Sequence, residues 1–136
     1  MIASWQRITH RLLSAIDHEL AGVDLSAAET NVLAYMLEVE RPTVRELSGA
    51  TAQPPSTLTG VLDRLEGKGL VRREVNAADR RSFTIGLTAA GQTATARVRE
   101  ALDALDARVH DAVQPAEAEG FHHVLDALER HTRGRA

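Results

Sequence analysis

The sequence contains no cysteine, few aromatic residues and no long apolar run. Without cysteine the chain can form no disulfide, no zinc site with thiolate ligands and no cysteine-based redox sensor. No apolar stretch approaches the roughly 18 to 20 residues needed to span a bilayer. The N-terminus also lacks the apolar block and cleavage site of a signal peptide. We therefore expect a cytoplasmic protein that does not associate with membranes.

Charge is distributed unevenly along the chain, whose formal net charge is -3. Residues 41–81 hold eight basic and five acidic side chains, whereas the remainder holds eight basic and fourteen acidic ones. Screening at about 0.1 M salt acts over about 10 Å, so a nucleic-acid phosphate senses the local positive patch more than the chain total. All basic side chains but Lys68 are arginines, which suit phosphate recognition, although a biased genome composition explains that preference equally well.

Apolar side chains recur three and four residues apart along most of the chain, which predicts helices. Residues 2–21 form the first predicted helix, and Gly22 is a suitable stop. Capping boxes of the form S/T-x-x-E at residues 26–29 and 43–46 predict the starts of two further helices. A fourth helix is predicted from about residue 55 to 68. Two short helices joined by a tight turn are typical of a helix-turn-helix.

Two strand patterns follow, at residues 70–75 and 82–87, and Asn76-Ala77-Ala78-Asp79 supplies the turn between them. A hairpin directly after a helix-turn-helix is a wing. Thr88 is expected to cap a long helix that ends near Val113, and Pro115 is expected to begin the last helix. The predicted fold class is mostly α with a small β-hairpin wing, a winged helix-turn-helix.

The outer helices carry apolar faces that the small central core cannot cover alone. Burial against a second copy would cover them, so we expect a two-fold homodimer; a monomer whose outer helices fold back on the core is the alternative. The predicted division is an N-terminal dimerisation helix at residues 1–24, a winged helix-turn-helix DNA-binding domain at 25–88 and C-terminal dimerisation helices at 89–136.

The face of the fourth helix that lies opposite its leucine stripe is small and hydroxylated. Ser56, Gly60 and Asp63 lie on that face, and Thr57, Thr59 and Arg64 lie at its flanks. A helix that enters the major groove needs such a surface, because bulky side chains would hold its backbone away from the base edges. An ordinary solvated helix face would have the same composition.

The predicted wing carries four arginines. Arg80 and Arg81 follow the turn directly, and Arg72 and Arg73 lie on the first strand. Arginine at a hairpin tip can enter a narrow minor groove, where the negative potential is enhanced. Asp79 can orient such an arginine through charge-assisted hydrogen bonds. A salt bridge within the loop is the alternative.

Two runs of sequence resemble the MarR (multiple antibiotic resistance regulator) family. LEGKGLVRR at residues 65–73 and DRRSFTIGLTAAG at residues 79–91 resemble its wing signature, and STLT at 56–59 with DRLE at 63–66 resembles its recognition helix. The resemblance implies dimeric transcriptional regulators, usually repressors, with recognition helices in successive major grooves and wings in flanking minor grooves. It also implies that the first and last helices form the dimer interface and that small, often aromatic or phenolic, anions act as effectors.

The residues and the resemblance together predict a DNA-binding set and a pseudo-palindromic double-stranded operator as partner. The predicted DNA-binding residues are Gln53, Pro55, Ser56, Thr57, Thr59, Gly60, Arg64, Arg72, Arg73, Asp79, Arg80 and Arg81. One departure from the family pattern is Gln53-Pro54-Pro55, where a capping serine is common. Pro54 offers no capping side chain, so the start of this helix and the role of Gln53 are less well defined.

Other chemistry has little support in the sequence. His122 and His123 are adjacent, so they point in different directions on a helix, and we expect no metal and no cofactor. Trp5 and Tyr35 are candidates to line an effector pocket, although aromatic residues on apolar faces are more often core. There is no nucleophile elbow, phosphate loop or HExxH helix, so we expect no enzyme. The alternative function is a winged-helix interaction module that does not bind DNA.

Overall fold

A computed structural model describes residues 2–77 and 79–132, with side chains for all of these except residues 2–6, 10, 13, 17, 129 and 132. In chain order the elements are α1 (Ile2–Glu19), α2 (Ala27–Tyr35), α3 (Val44–Thr51), α4 (Pro55–Gly67), β1 (Val71–Val75), β2 (Phe83–Leu87), α5 (Ala89–His110) and α6 (Pro115–Thr132). This order confirms the predicted mostly α fold with a hairpin wing. Two helices end earlier than predicted: α1 at Glu19 and α5 at His110.

Helices α2 and α3 begin at the two predicted capping boxes. The Ser26 hydroxyl accepts from the Glu29 backbone N–H at 3.4 Å, and the Glu29 carboxylate accepts from the Ser26 backbone N–H at 2.6 Å. Thr43 and Glu46 make the same reciprocal pair at 3.2 and 2.7 Å. Each box satisfies backbone donors that a helix start otherwise leaves unpaired, so these two starts are set by local sequence.

The end of α4 turns the chain into the wing. Gly69 has a φ of 69°, a left-handed conformation that residues with a side chain rarely adopt. The backbone N–H of Leu70 then donates to the Leu65 carbonyl at 2.9 Å, and that of Gly69 donates to the Glu66 carbonyl at 2.9 Å. These bonds satisfy carbonyls of the last helical turn and place β1 directly after α4.

The wing is a two-stranded antiparallel sheet with Val71 opposite Leu87, Arg73 opposite Ile85 and Val75 opposite Phe83. Directly opposite residues share a face of the sheet. Ile85 is fully buried on this face, whereas Phe83 is 48% exposed because it lies nearer the tip of the hairpin. The predicted alternation along β2 is correct, and the core ends before the tip.

The core lies between α2, α3, α4 and the base of the wing. Its largest fully buried apolar side chains are Leu33, Leu47, Leu58, Leu62, Leu65, Ile85, Val32, Val61 and Val98. Burying one such side chain stabilises a fold by about 1.5 to 3 kcal/mol. The four buried positions of α4 all belong to the stripe predicted from periodicity, so the orientation of this helix is fixed by its own sequence.

The chain forms two compact units, residues 1–101 and residues 102–136. The second unit exposes much of its apolar surface, since large hydrophobic side chains there are 36 to 50% exposed. These two units are defined by packing. The predicted division at residues 24 and 88 separates dimerisation from DNA-binding segments, and it stays a prediction. No helix in the described part of the chain is both long and apolar enough to cross a membrane.

Candidate nucleic-acid interface

Burial of its leucine stripe leaves the opposite face of α4 open. Ser56, Thr57 and Thr59 are exposed, and Gly60 is half-buried. The Thr59 hydroxyl donates to the Pro55 carbonyl at 2.8 Å, and its oxygen keeps lone pairs that can accept a further bond. The predicted small, hydroxylated surface is therefore exposed as a group.

The first turn of α4 has no side-chain cap. Pro54 occupies the cap position, and Pro55 begins the helix. Proline is tolerated there because its missing N–H would have no partner within the helix. Uncapped N–H groups at a helix start favour a phosphate.

Gln53 helps to close the turn before α4. Its backbone carbonyl accepts from the Ser48 hydroxyl at 2.7 Å. Its side-chain Oε1 is buried without a hydrogen-bond partner among the described residues. The carbonyl oxygen of this side chain is therefore inaccessible to an outside ligand.

The tip of the wing presents two exposed arginines. Arg80 and Arg81 are exposed, and neither guanidinium forms an ion pair with any carboxylate of a described residue. The Asp79 carboxylate accepts from the backbone N–H of Arg81 at 3.0 Å, and the Asp79 carbonyl accepts from the Ser82 N–H at 2.9 Å. The Asp79 carboxylate thus braces the backbone of the turn.

Arg73 connects the wing to α4. Its Nη2 lies 2.6 Å from Asp63 Oδ1, and its Nη1 lies 2.6 Å from Glu66 Oε2. The hydrogen bond to Asp63 raises the pKa of Arg73 above its usual value, against the opposing effect of burial. Both terminal nitrogens of the guanidinium therefore contact carboxylates of α4.

Arg72 is partly neutralised by a second cluster on the other face of the wing. Its Nε lies 2.5 Å from Glu74 Oε1, while Arg41 Nη1 lies 3.0 Å from Glu74 Oε2. The hydrogen bond from Arg72 is the largest cause that lowers the pKa of Glu74. Gly86 lies beside the cluster, where a Cβ would be in van der Waals contact with Glu74 Oε1 at 3.4 Å.

Glu29 is a buried carboxylate beneath α4. The sequence predicted its capping role but not its burial or its distant partners. Glu29 is only 1% exposed. Its Oε2 accepts from the Ser26 N–H and hydroxyl and from Lys68 Nζ at 3.1 Å, and its Oε1 lies 3.6 Å from Arg64 Nε. Burial alone raises the pKa of Glu29, but the bonds from Ser26 and Lys68 outweigh it and lower the pKa below 4.5. The capping box signalled Glu29, but nothing in the sequence signalled Lys68 or Arg64 as its partners.

A cavity of about 290 Å³ lies at the base of the wing. Its lining is Met36, Leu37, Glu38, Val39, Glu40, Arg41, Arg72, Gly86, Leu87 and Gln92. Arg41 has a φ of 54°, which is uncommon for a residue with a side chain. Tyr35 precedes this lining in the chain but does not belong to it, and the side chain of Trp5 lies outside the described residues.

The histidines show no shared site. His122 and His131 each direct Nδ1 at a backbone carbonyl one turn earlier, both at 2.8 Å. His110 Nε2 lies 3.7 Å from Asp106 Oδ2. Among residues 2–77 and 79–132, no group of three metal-ligating side chains could hold an ion.

Residues 23–82 match the model of the MarR family. A MarR-family transcriptional regulator from Silicibacter pomeroyi is 29% identical with a TM-score of 0.83, covering 96% of this chain and 88% of that one.

Two further structures show the same fold. CouR from Rhodococcus jostii RHA1 bound to p-coumaroyl-CoA is 24% identical with a TM-score of 0.82, covering 91% of this chain and 87% of that one. The S. aureus MepR–DNA complex is 23% identical with a TM-score of 0.82, covering 93% of each chain. No curated protein matches the sequence. The resemblance to the MarR family predicted from the sequence is confirmed by the family-model match and by these structural similarities.

Proposed function

We propose that the chain is a homodimeric, sequence-specific DNA-binding transcriptional regulator that acts as a repressor and is released by a small-molecule effector. One observation carries the proposal: the hydroxylated face of α4 is exposed in the same compact unit as Arg80 and Arg81, whose guanidinium groups pair with no carboxylate of a described residue. Small hydroxylated side chains suit base edges, and arginines without carboxylate partners suit the phosphate backbone.

The residues divide by role. Ser56, Thr57, Thr59 and Gly60 of α4 would face the major groove, while Arg80 and Arg81 would meet the minor groove that flanks it. Gln53 and Pro55 would lie beside a phosphate at the uncapped helix start, and Arg64 and Arg72 would meet the backbone. Asp79 and Arg73 would support the wing from within the protein, because the backbone of the turn and two carboxylates of α4 hold them.

The apolar faces of the outer helices support a dimer. Ile8 and Leu12 of α1 are 60% and 43% exposed, and Val109 of α5, Val124 of α6 and Leu125 of α6 are 38 to 50% exposed. Apolar side chains exposed along a helix in this way are typical of an interface. We assign residues 1–24 and 89–136 to dimerisation and 25–88 to DNA binding. A symmetric pair would present its α4 helices to half-sites about 34 to 36 Å apart.

The cavity at the base of the wing is our candidate for the effector site. It touches Arg72 of β1 and Gln92 of α5, so an occupant would contact both the wing and the helix that leads to the dimerisation segment. A coupling of about 1 to 3 kcal/mol would change DNA affinity about 5- to 150-fold. The p-coumaroyl-CoA complex of CouR shows that a structural neighbour binds an aromatic, anionic ligand.

Selection of bound sites from a pool of random duplexes tests the proposal. We expect a pseudo-palindromic site to emerge. Thr57→Ala should then change preference among sequences with little change on random DNA, whereas Arg81→Ala should weaken binding to any duplex. No binding to any duplex at low salt would favour the interaction module instead, and equal losses on selected and random DNA for both variants would overturn the assignment of α4.

A further inference from the structure

The two oxygens of the buried Glu29 carboxylate have unequal surroundings. Oε2 accepts three hydrogen bonds, from the Ser26 N–H at 2.6 Å, the Ser26 hydroxyl at 2.8 Å and Lys68 Nζ at 3.1 Å. Oε1 is equally inaccessible to solvent but accepts no hydrogen bond among the described residues. A buried acceptor left unpaired is costly, so its presence calls for an explanation.

The charged group that faces Oε1 is the guanidinium of Arg64, whose Nε lies 3.6 Å away. This separation is that of an ion pair and is too long for a hydrogen bond. The side chain of Glu29 is 2% exposed and that of Arg64 is 55% exposed. The pair therefore links an anion fixed under α4 to a cation that still reaches solvent.

The remaining nitrogens of Arg64 extend along α4 towards its DNA-facing side. Nη1 lies 3.7 Å from where a Cβ on Gly60 would be, so the guanidinium lies over the residue one turn earlier. Gly60 belongs to the exposed face that also carries Ser56. The other charged residue of that face, Asp63, is bound to Arg73, so the carboxylate of Asp63 does not draw Arg64 away.

We propose that Glu29 is a positioning residue, which holds Arg64 by its Nε so that the two Nη groups are pre-oriented over Gly60 to bind a DNA phosphate. The inference rests on the function proposed above. It identifies Arg64 as one phosphate-binding residue of α4 and Glu29 as the residue that orients it. Orienting a long side chain before binding removes part of the entropy cost of ordering it at the interface. Arginine suits the role because its planar fork presents Nε to one partner and the Nη groups to another some distance away, whereas all donors of a lysine lie on a single nitrogen.

The competing account is that Glu29 neutralises Arg64 and so opposes DNA binding. The two accounts predict opposite signs for Glu29→Gln, which removes the charge and keeps the shape. Positioning predicts weaker binding, because the arginine loses its fixed orientation. Neutralisation predicts tighter binding, because the guanidinium is freed for the phosphate.

The test measures binding of the full chain to a random-sequence duplex of about three helical turns, over a range of salt. Arg64→Gln should lose about tenfold in affinity, and its salt slope should fall by about one unit per protomer. Glu29→Gln should lose about three- to tenfold in affinity and show the same reduced salt slope as Arg64→Gln. The variant that carries both substitutions should lose no more affinity than Arg64→Gln alone. Ser26→Ala is the matched control, since it removes a donor to the other oxygen without a change of charge. It should lower stability in urea by about 1 kcal/mol and leave the slope unchanged.

Equal or tighter binding by Glu29→Gln, or additive losses in the double variant, would overturn the proposal. Should Glu29→Gln fail to fold, Arg64→Lys decides instead. Its ammonium keeps the charge but cannot reach both partners, so we expect nearly the loss seen for Arg64→Gln, and wild-type affinity would overturn the positioning account. Failure of the wild type to bind the duplex would count against the proposed function itself, which keeps the two failures distinct.

Discussion

The bracing role of Arg73 leads to a quantitative prediction for Arg73→Ala. The substitution removes two contacts of 2.6 Å, to Asp63 and to Glu66. The Arg73 side chain is 28% exposed, so solvent screens its ion pairs less than pairs on an open surface. The two carboxylates are 58% and 41% exposed, so water would solvate them once Arg73 is removed. An exposed ion pair contributes at most about 1 kcal/mol and a hydrogen bond between charged groups about 1.5 to 3 kcal/mol. We therefore expect a loss of about 1 to 2 kcal/mol in the free energy of unfolding.

Urea unfolding at one fixed protein concentration measures this loss, because the stability of a dimer depends on concentration. Arg81→Ala is the matched control, since it removes an arginine of the same wing whose guanidinium has no carboxylate partner among the described residues, and it should change stability by less than about 0.5 kcal/mol. The reasoning is refuted if Arg73→Ala unfolds at the wild-type urea concentration while its DNA salt slope falls, because Arg73 would then act as a DNA contact.

Two other predictions concern packing and pH. In the same urea unfolding assay, Gly91→Ala should cost more than about 3 kcal/mol or prevent folding, because its Cβ would lie 1.8 Å from the Leu70 carbonyl oxygen. Gly49→Ala is its control: the added Cβ meets nothing within 4 Å and should raise stability by about 0.5 to 1 kcal/mol. Glu29, which faces Lys68 and Arg64, has a pKa below 4.5 in the folded chain, so its contribution to stability is present above about pH 4.5 and is lost as the pH falls through the folded pKa. Glu29→Gln should therefore reduce the fall in the free energy of unfolding at acid pH. An unchanged fall would show that other carboxylates control it.

Local features of this fold were accessible from sequence because they depend on residues close together in the chain. The capping boxes at 26–29 and 43–46 involve bonds over three residues, and the apolar stripe of α4 repeats within each turn. Periodicity alone therefore fixed which side of α4 is exposed. The same applies to Gly69, whose left-handed turn follows from the need to end a helix.

Partnerships between distant residues were not accessible. Arg73 contacts carboxylates seven and ten residues earlier, and Lys68 contacts Glu29 across thirty-nine residues. These contacts depend on the angle between α4 and the wing and on the packing of α2 beneath α4, which no local pattern encodes. The sequence therefore predicted one set of four wing arginines. The structure separates Arg72 and Arg73, which have carboxylate partners, from Arg80 and Arg81, which have none among the residues that the structure describes.

The most direct test of the account is the salt dependence of duplex binding for the wild type and for the Arg80→Ala/Arg81→Ala variant. Fluorescence anisotropy on the selected duplex gives the slope of log affinity against log salt. If two wings insert these arginines, the slope should fall by about one unit for each arginine removed, or about four units for a dimer, with no loss of stability in urea. An unchanged slope would contradict the claim that α4 and the wing tip together form the DNA-binding surface.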